Sequence, residues 1–336
     1  MSFAETVNFV ETCVYVPITA VGVALNVLVM KTAMRQCGKQ RSDDEKVNNY
    51  FIFNLAIADL CILSLVIPLH VVELNVSVWP FGEFLCRFMH SITNSISYVS
   101  VLSIAALSLH RNWLLVRPSW LSCLKSSNAK CVIVALWWFS YIAIGLPLAF
   151  VMKVDHRTNS TSACDPAWPS KESQRIHIAY MTSLVVIPLL ATTGSYYRIR
   201  QVFRKFAMSG AGAAYVARSY ANEFLVKLRK FTRLLNVIVC GFWICYTPYV
   251  AISLFLVYYT TGFSIGGFQN VLVCAVHIMF YVNPVVNPLV LVVFSKPYRK
   301  GIVCFRRIRR RMTMQKTVVS LQLRSKVDQS PPERSV

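Results

Sequence analysis

Residues 50–72 read YFIFNLAIADLCILSLVIPLHVV, an apolar run in which Asp59 is the only acid and no Lys or Arg occurs. A helix needs about 20 such residues to cross the roughly 30 Å of bilayer hydrocarbon. A carboxylate in the middle of that path is expensive to bury, so Asp59 points to a function inside a membrane.

Outward from this run, the same pattern recurs. Seven spans are expected at about Val10–Ala33, Tyr50–Val72, Phe84–Leu115, Ala129–Met152, Ile176–Phe203, Phe224–Tyr258 and Phe268–Phe294. The fold class is therefore an all-α membrane protein, a seven-helix transmembrane bundle. Composition agrees: of 336 residues 55% are hydrophobic and only 15% charged, where a soluble domain carries about 25% charged. Disorder, collagen and a small disulfide scaffold are excluded on the same grounds. An odd number of spans without an internal repeat argues against an inverted-repeat transporter.

The formal net charge is +21, and 30 of the 35 Lys and Arg residues fall on one side of the expected topology. They occupy the 1–2, 3–4 and 5–6 connections and the tail from Lys296 onward. Positive charge marks the cytoplasm, which puts the amino terminus outside and the carboxyl terminus inside, as in a multi-pass protein of the plasma membrane. Because this charge follows the topology, nucleic acid is not an expected partner. The layout reads as an extracellular amino terminus (1–9), a bundle (10–294), a short amphipathic helix 8 with a basic juxtamembrane segment (295–311) and a cytoplasmic tail (312–336). No basic n-region precedes helix 1, so that helix is expected to act as the targeting signal. A polar insertion, Cys37–Glu45, occupies the 1–2 connection and has no role assignable from sequence.

Two sequons, at Asn75 and Asn159, fall on the outer side as candidate glycosylation sites. Most of the eleven cysteines lie in or beneath the membrane. Cys86, at the outer start of helix 3, and Cys164, in the second outer loop, are the informative pair. A disulfide between them would tie that loop over the bundle; the alternative is two unrelated thiols. Cys304, just past helix 7 in a basic amphipathic stretch, is a candidate for palmitoylation or a plain interfacial cysteine.

Local signatures follow in order: Gly22-x-x-x-Asn26, Asn54-Leu55-Ala56-Ile57-Ala58-Asp59-Leu60, Trp79-Pro80-Phe81-Gly82 before Cys86, His110-Arg111-Asn112, Trp137-Trp138 with Pro147, Pro188 with Tyr196, Phe242-Trp243-Ile244-Cys245-Tyr246-Thr247-Pro248, and Asn283-Pro284-x-x-Asn287-Pro288. Over residues 10–305 this set resembles the rhodopsin-like (class A) family of G-protein-coupled receptors. The ending of helix 7 is similar to the galanin, kisspeptin and allatostatin-like neuropeptide branch.

The resemblance implies roles. Asp59, Ser100, Asn283 and Asn287, with Asn26 nearby, match the polar core that often holds an allosteric sodium ion; otherwise a protonated Asp59 stitches helices together. No other cofactor or metal is expected. Arg111, His110, Asn112, Tyr196, Thr232 and Leu291 match the switch on the G-protein side. Three of these depart from the family pattern: His110 and Asn112 replace an acidic and an aromatic neighbour of Arg111, and Leu291 replaces a tyrosine. Without the usual carboxylates Arg111 is expected to lose its restraining ion pair. That predicts raised basal signalling, atypical coupling or a decoy receptor.

The expected ligand pocket lies in the outer half of the bundle: Thr93, Asn94 and Ser97 on helix 3, Tyr246, Tyr249 and Ser253 on helix 6, and His277 and Tyr281 on helix 7. Thr93 stands where amine receptors carry an aspartate, and Tyr281 where opsins carry a lysine. Seven outer acids, Glu11 and Glu73 among them, face five outer basic residues. That surplus favours a basic extracellular peptide, with a lipid or other small apolar ligand as the alternative. The resemblance implies a heterotrimeric G protein and arrestin as cytoplasmic partners. The run Arg306–Arg311 suits membrane lipids. An enzyme is not expected: no nucleophile–base–orienter set, no His-Glu-x-x-His and no nucleotide motif occurs. Nor are the charge-lined pores of a channel visible.

Overall fold

A computed structural model describes residues 3–38, 42–76, 78–116, 125–158, 161–208, 215–259 and 267–301. Among the described residues, seven helices are long and apolar enough to cross a membrane. They are α1 (Phe3–Cys37), α2 (Asp43–Asn75), α3 (Gly82–Val116), α4 (Ser126–Val151), α5 (Lys171–Met208), α6 (Tyr215–Tyr259) and α7 (Gly267–Phe294). After α7 a further helical stretch covers 296–301, where helix 8 was expected to begin. Large apolar side chains such as Trp138, Phe150, Ile187 and Ile244 point outward, the inverse of a soluble protein and suited to lipid.

The helices overrun their expected ends. Much of the Cys37–Glu45 insertion is taken up in this way, since α1 runs to Cys37 and α2 starts at Asp43. Asp43, Asp44 and Glu45 occupy the first turn of α2, where carboxylates complement the positive end of the helix dipole.

The centre of the bundle is α3, whose apolar window is 67% buried, more than that of any other span. Its sequence suits a crowded axis. Ser91, Ser95, Ser97, Ser103 and Ser108 are small, and each hydroxyl donates to the carbonyl four residues back, so none needs an external acceptor. Around α3, α1 packs on α2 and α7, α3 on α2, α4 and α5, and α6 on α5 and α7.

Prolines shape the helices, and the carbonyls they free find new partners. Pro68 and Pro147 each follow a π-helical turn, Ile62–Val66 and Tyr141–Gly145. Pro147 cannot bond the Ala143 carbonyl; Tyr180 of α5 donates its hydroxyl there at 3.0 Å. Pro288 likewise leaves the Pro284 carbonyl free, and Asn26 of α1 donates its amide to it at 2.8 Å. Gly145 lets α4 close on α3, since a Cβ there would meet Ser95 Oγ and lie 3.1 Å from the Ser91 carbonyl oxygen.

A hairpin roofs the end of the bundle at which α3 begins. Strands β1 (Met152–Thr158) and β2 (Thr161–Pro166) pair antiparallel, with Cys164 opposite Val154. The Cys86–Cys164 disulfide fastens β2 to the start of α3. Trp79 buries its ring in the small core formed with Cys86, Leu148, Met152 and Cys164. Its indole donates to the Gly82 carbonyl at 2.8 Å. Gly82 has φ +69°, a conformation that favours glycine, which explains the last letter of the Trp-Pro-Phe-Gly element.

Candidate functional site

Three polar layers lie along the bundle. In the outer layer α1 supplies Glu11 and Tyr15 one turn apart, α2 supplies His70 and Glu73, α3 supplies His90 and α7 supplies His277 and Tyr281. Glu11 is only 2% exposed and accepts a hydrogen bond from the Tyr15 hydroxyl. Its Oε1 lies 3.7 Å from His70 Nε2 and 3.8 Å from His277 Nδ1. On the other side of the His70 ring, Nδ1 is 3.4 Å from Glu73 Oε2. The second oxygen of Glu73 is 3.7 Å from His90 Nε2.

Aromatic rings carry this layer inward. Tyr281 meets the Tyr15 and His70 rings at 5.4 Å each, and Phe280 meets Tyr249 at 5.1 Å and Tyr246 at 5.2 Å. Tyr246 stacks on Phe242 at 5.4 Å. Of the expected pocket residues, Tyr246, Tyr249, His277 and Tyr281 come together in this cluster. Ser253 lies beside Tyr249, and Ser97 beside Tyr246. Thr93 and Asn94 turn their polar atoms back onto α3, bonding the carbonyls of Met89 and His90.

The middle layer surrounds Asp59, fully buried, whose Oδ2 accepts from Asn287 Nδ2 at 3.1 Å. Asp59 Oδ1, Ser100 Oγ, Asn283 Oδ1, Asn287 Oδ1 and Asn26 Oδ1 are buried without a hydrogen-bond partner among the described residues. So many orphaned oxygens, and no orphaned donor among them apart from a rotatable hydroxyl, fit a hard cation such as sodium. Asn26 also serves a second purpose, its amide being spent on the Gly22 and Pro284 carbonyls.

Beside this layer Asn54 fastens three helices, donating to Ser103 of α3 at 2.9 Å and accepting from the Trp137 indole of α4 at 2.8 Å.

At the inner layer Arg111 is 7% exposed. Neither His110 nor Asn112 brings an acid to it, but Asp44, in the first turn of α2, lies close enough for its charge to act on the guanidinium. Asp44 Oδ1 is also 3.7 Å from His110 Nε2. Sequence inspection missed this acid because it is remote from Arg111 in the chain and was read as part of an unassigned loop. Tyr196 shares a 2.9 Å hydrogen bond with Ser108. Thr232 Oγ1 is buried with no hydrogen-bond partner among the described residues. Leu291 is 2% exposed in an apolar lining with Leu107, Leu235 and Ile238. Asn112 is partly buried. Tyr298 reaches back from the 296–301 stretch to Asn49 of α2 at 3.2 Å.

The remaining assignments divide. Asn75 ends α2, and its amide nitrogen, the atom a glycan would occupy, donates to Thr12 and to the Val71 carbonyl. Asn159 and Cys304 lie outside the described residues. Glu11, Tyr15, His70, Glu73, His90 and Phe280 escaped the sequence reading as pocket residues. Glu11 and Glu73 had been counted as outer surface acids. The i, i+4 spacing of Glu11 and Tyr15 and the i, i+3 spacing of His70 and Glu73 were the available signal.

Residues 25–291 match the family described as the 7 transmembrane receptor (rhodopsin family). Similar proteins include galanin receptor type 1 of Mus musculus, 26% identical over 88% of this chain and 80% of that receptor. Galanin receptor 2a of Danio rerio is 28% identical over 84% of this chain and 73% of its own length. Galanin receptor type 2 of Homo sapiens is 28% identical over 84% of this chain and 68% of its own length. With four fifths of its length inside the family match and seven helices long and apolar enough to cross a membrane among the described residues, the chain belongs to the rhodopsin family of seven-transmembrane receptors.

Proposed function

We propose that the chain is a receptor for an extracellular peptide that, when occupied, catalyses nucleotide exchange on a heterotrimeric G protein through outward movement of the inner end of α6. One observation carries this reading. Three buried ionisable residues stand one above another in the bundle: Glu11 near one end, Asp59 in the middle and Arg111 near the other, at 2%, 0% and 7% exposure. Each is expensive in a membrane and marks a site rather than a packing position.

The distribution of basic residues supports an outer position for Glu11 and a cytoplasmic one for Arg111. Glu73, with a side chain 28% exposed, offers a carboxylate to a basic peptide group. The similarity to galanin receptors supports a peptide over a lipid. In the middle layer Asp59, Ser100, Asn283 and Asn287 would hold a sodium ion, whose positive charge would satisfy the Asp59 carboxylate. The Asn287–Asp59 bond ties α7 to α2, and Pro248 and Pro288 remove backbone restraints in α6 and α7 where a helix end must swing. The basic rims at Arg198, Arg200 and Arg204 face the side where the G protein, and afterwards arrestin, would dock.

The test is a screen of basic and amidated peptides against cells that express the chain with sensors for each G-protein class. The expected result is a peptide whose response disappears in R111A and whose potency falls about tenfold in E73Q, the equivalent of about 1.4 kcal/mol. Silence toward every peptide, with activation by a lipid or small apolar compound, would replace the peptide half of the proposal.

A further inference from the structure

The geometry points to a zinc site joining the outer ends of α1, α2 and α7, with Glu11, His70 and His277 as ligands. The ligand atoms of these three residues all lie within 4.8 Å of one another, although each comes from a different helix. Glu11 Oε1 stands 3.7 Å from His70 Nε2 and 3.8 Å from His277 Nδ1. Those separations are too long for hydrogen bonds. They suit an ion placed between the groups. Tetrahedral zinc with ligand bonds of about 2.0–2.1 Å spaces its ligands about 3.3 Å apart, so side-chain adjustments of around half an ångström close the two measured gaps.

Two further observations support a built site. His70 Nε2 is buried and has no hydrogen-bond partner among the described residues. On the far side of the same ring, Nδ1 faces Glu73 at 3.4 Å. A carboxylate there holds the proton on Nδ1 and leaves the Nε2 lone pair aimed at the centre of the cluster, as a histidine ligand requires. The Tyr15 hydroxyl does the corresponding work for Glu11 by hydrogen-bonding its carboxylate. The Tyr15 and Tyr281 rings wall the inner side.

Donor chemistry selects the ion. Two imidazoles and one carboxylate suit zinc with an open fourth position, whereas calcium and magnesium require oxygen ligands. His277 is about one-third exposed, so the open position faces the cleft. Cys274, three residues earlier on α7, lies close to the same carboxylate and offers a further donor on that helix. An ion here would tie α7 to α1 and α2 at the end where a ligand enters. This inference does not depend on what the agonist is.

The experiment uses the full chain, purified without ligand in lipid nanodiscs, and zinc titrated against a fluorescent chelator. One zinc ion per receptor is expected. H70A and H277A should each weaken its affinity by about tenfold or more, while H156A, on the exposed hairpin, binds as the unaltered chain does. Zinc should also raise the melting temperature of the unaltered chain but not that of H277A, which separates a lost ligand from a misfolded variant. No zinc bound by the unaltered chain, or equal affinity in H70A, H277A and E11Q, overturns the proposal. A failed peptide screen would leave it standing.

Discussion

Asp44 answers a question that Arg111 raises. A buried guanidinium must meet a counter-charge or give up several kcal/mol, and the residues beside Arg111 in the chain are His110 and Asn112. The acid comes instead from the first turn of α2, near both His110 and Arg111. A carboxylate near the arginine thus comes from α2, where the family pattern would place it on α3 or α6. We predict that D44N raises ligand-independent nucleotide exchange by about fivefold, the equivalent of about 1 kcal/mol, in membranes reconstituted with G protein. Exchange no higher than that of the unaltered chain would remove Asp44 from the restraint.

At the scale of the element, the prolines of α4 and α7 turn a weakness into a joint. Pro147 and Pro288 each remove one backbone donor, and a side chain from a neighbouring helix takes the freed carbonyl: Tyr180 for Ala143, Asn26 for Pro284. The Gly22-x-x-x-Asn26 signature thus has a mechanical meaning, the asparagine fastening α1 to α7 at a proline. Replacing Asn26 by alanine leaves a buried carbonyl unsatisfied, at a cost of about 1–3 kcal/mol. Thermal melting of the purified variant should fall accordingly. An unchanged melting temperature would mean that water takes over the bond. The hairpin roof behaves differently, since a covalent bond holds it to α3 and a glycine with positive φ sets its approach.

For the molecule as a whole, the fold was legible because a membrane span needs only length and apolarity. Asp59, Asn287, Tyr246 and His277 were legible too, being polar residues in the middle of apolar runs. Glu11, Glu73 and Asp44 were not. They fall at or beyond the ends of the spans expected from sequence, where a charge is unremarkable, and their importance arises only when the rotation of one helix is set against that of another. Longer helices than expected also moved the boundary: Glu11 lies more than two turns inside α1 rather than at its mouth.

The Asn54 contact makes α2, α3 and α4 one fastened unit. Side-chain bonds run from α2 to both α3 and α4 through that one amide, and α1 is pinned to α7 through Asn26. Of the apolar stretches of these spans, 11% is buried in α5 and 28% in α6, against 44% in α2 and 67% in α3. Deuterium should therefore enter the inner halves of α5 and α6 well before those of α2 and α3 when the receptor is pulsed in nanodiscs. Uniform uptake across the four helices would mean that the bundle turns as one block.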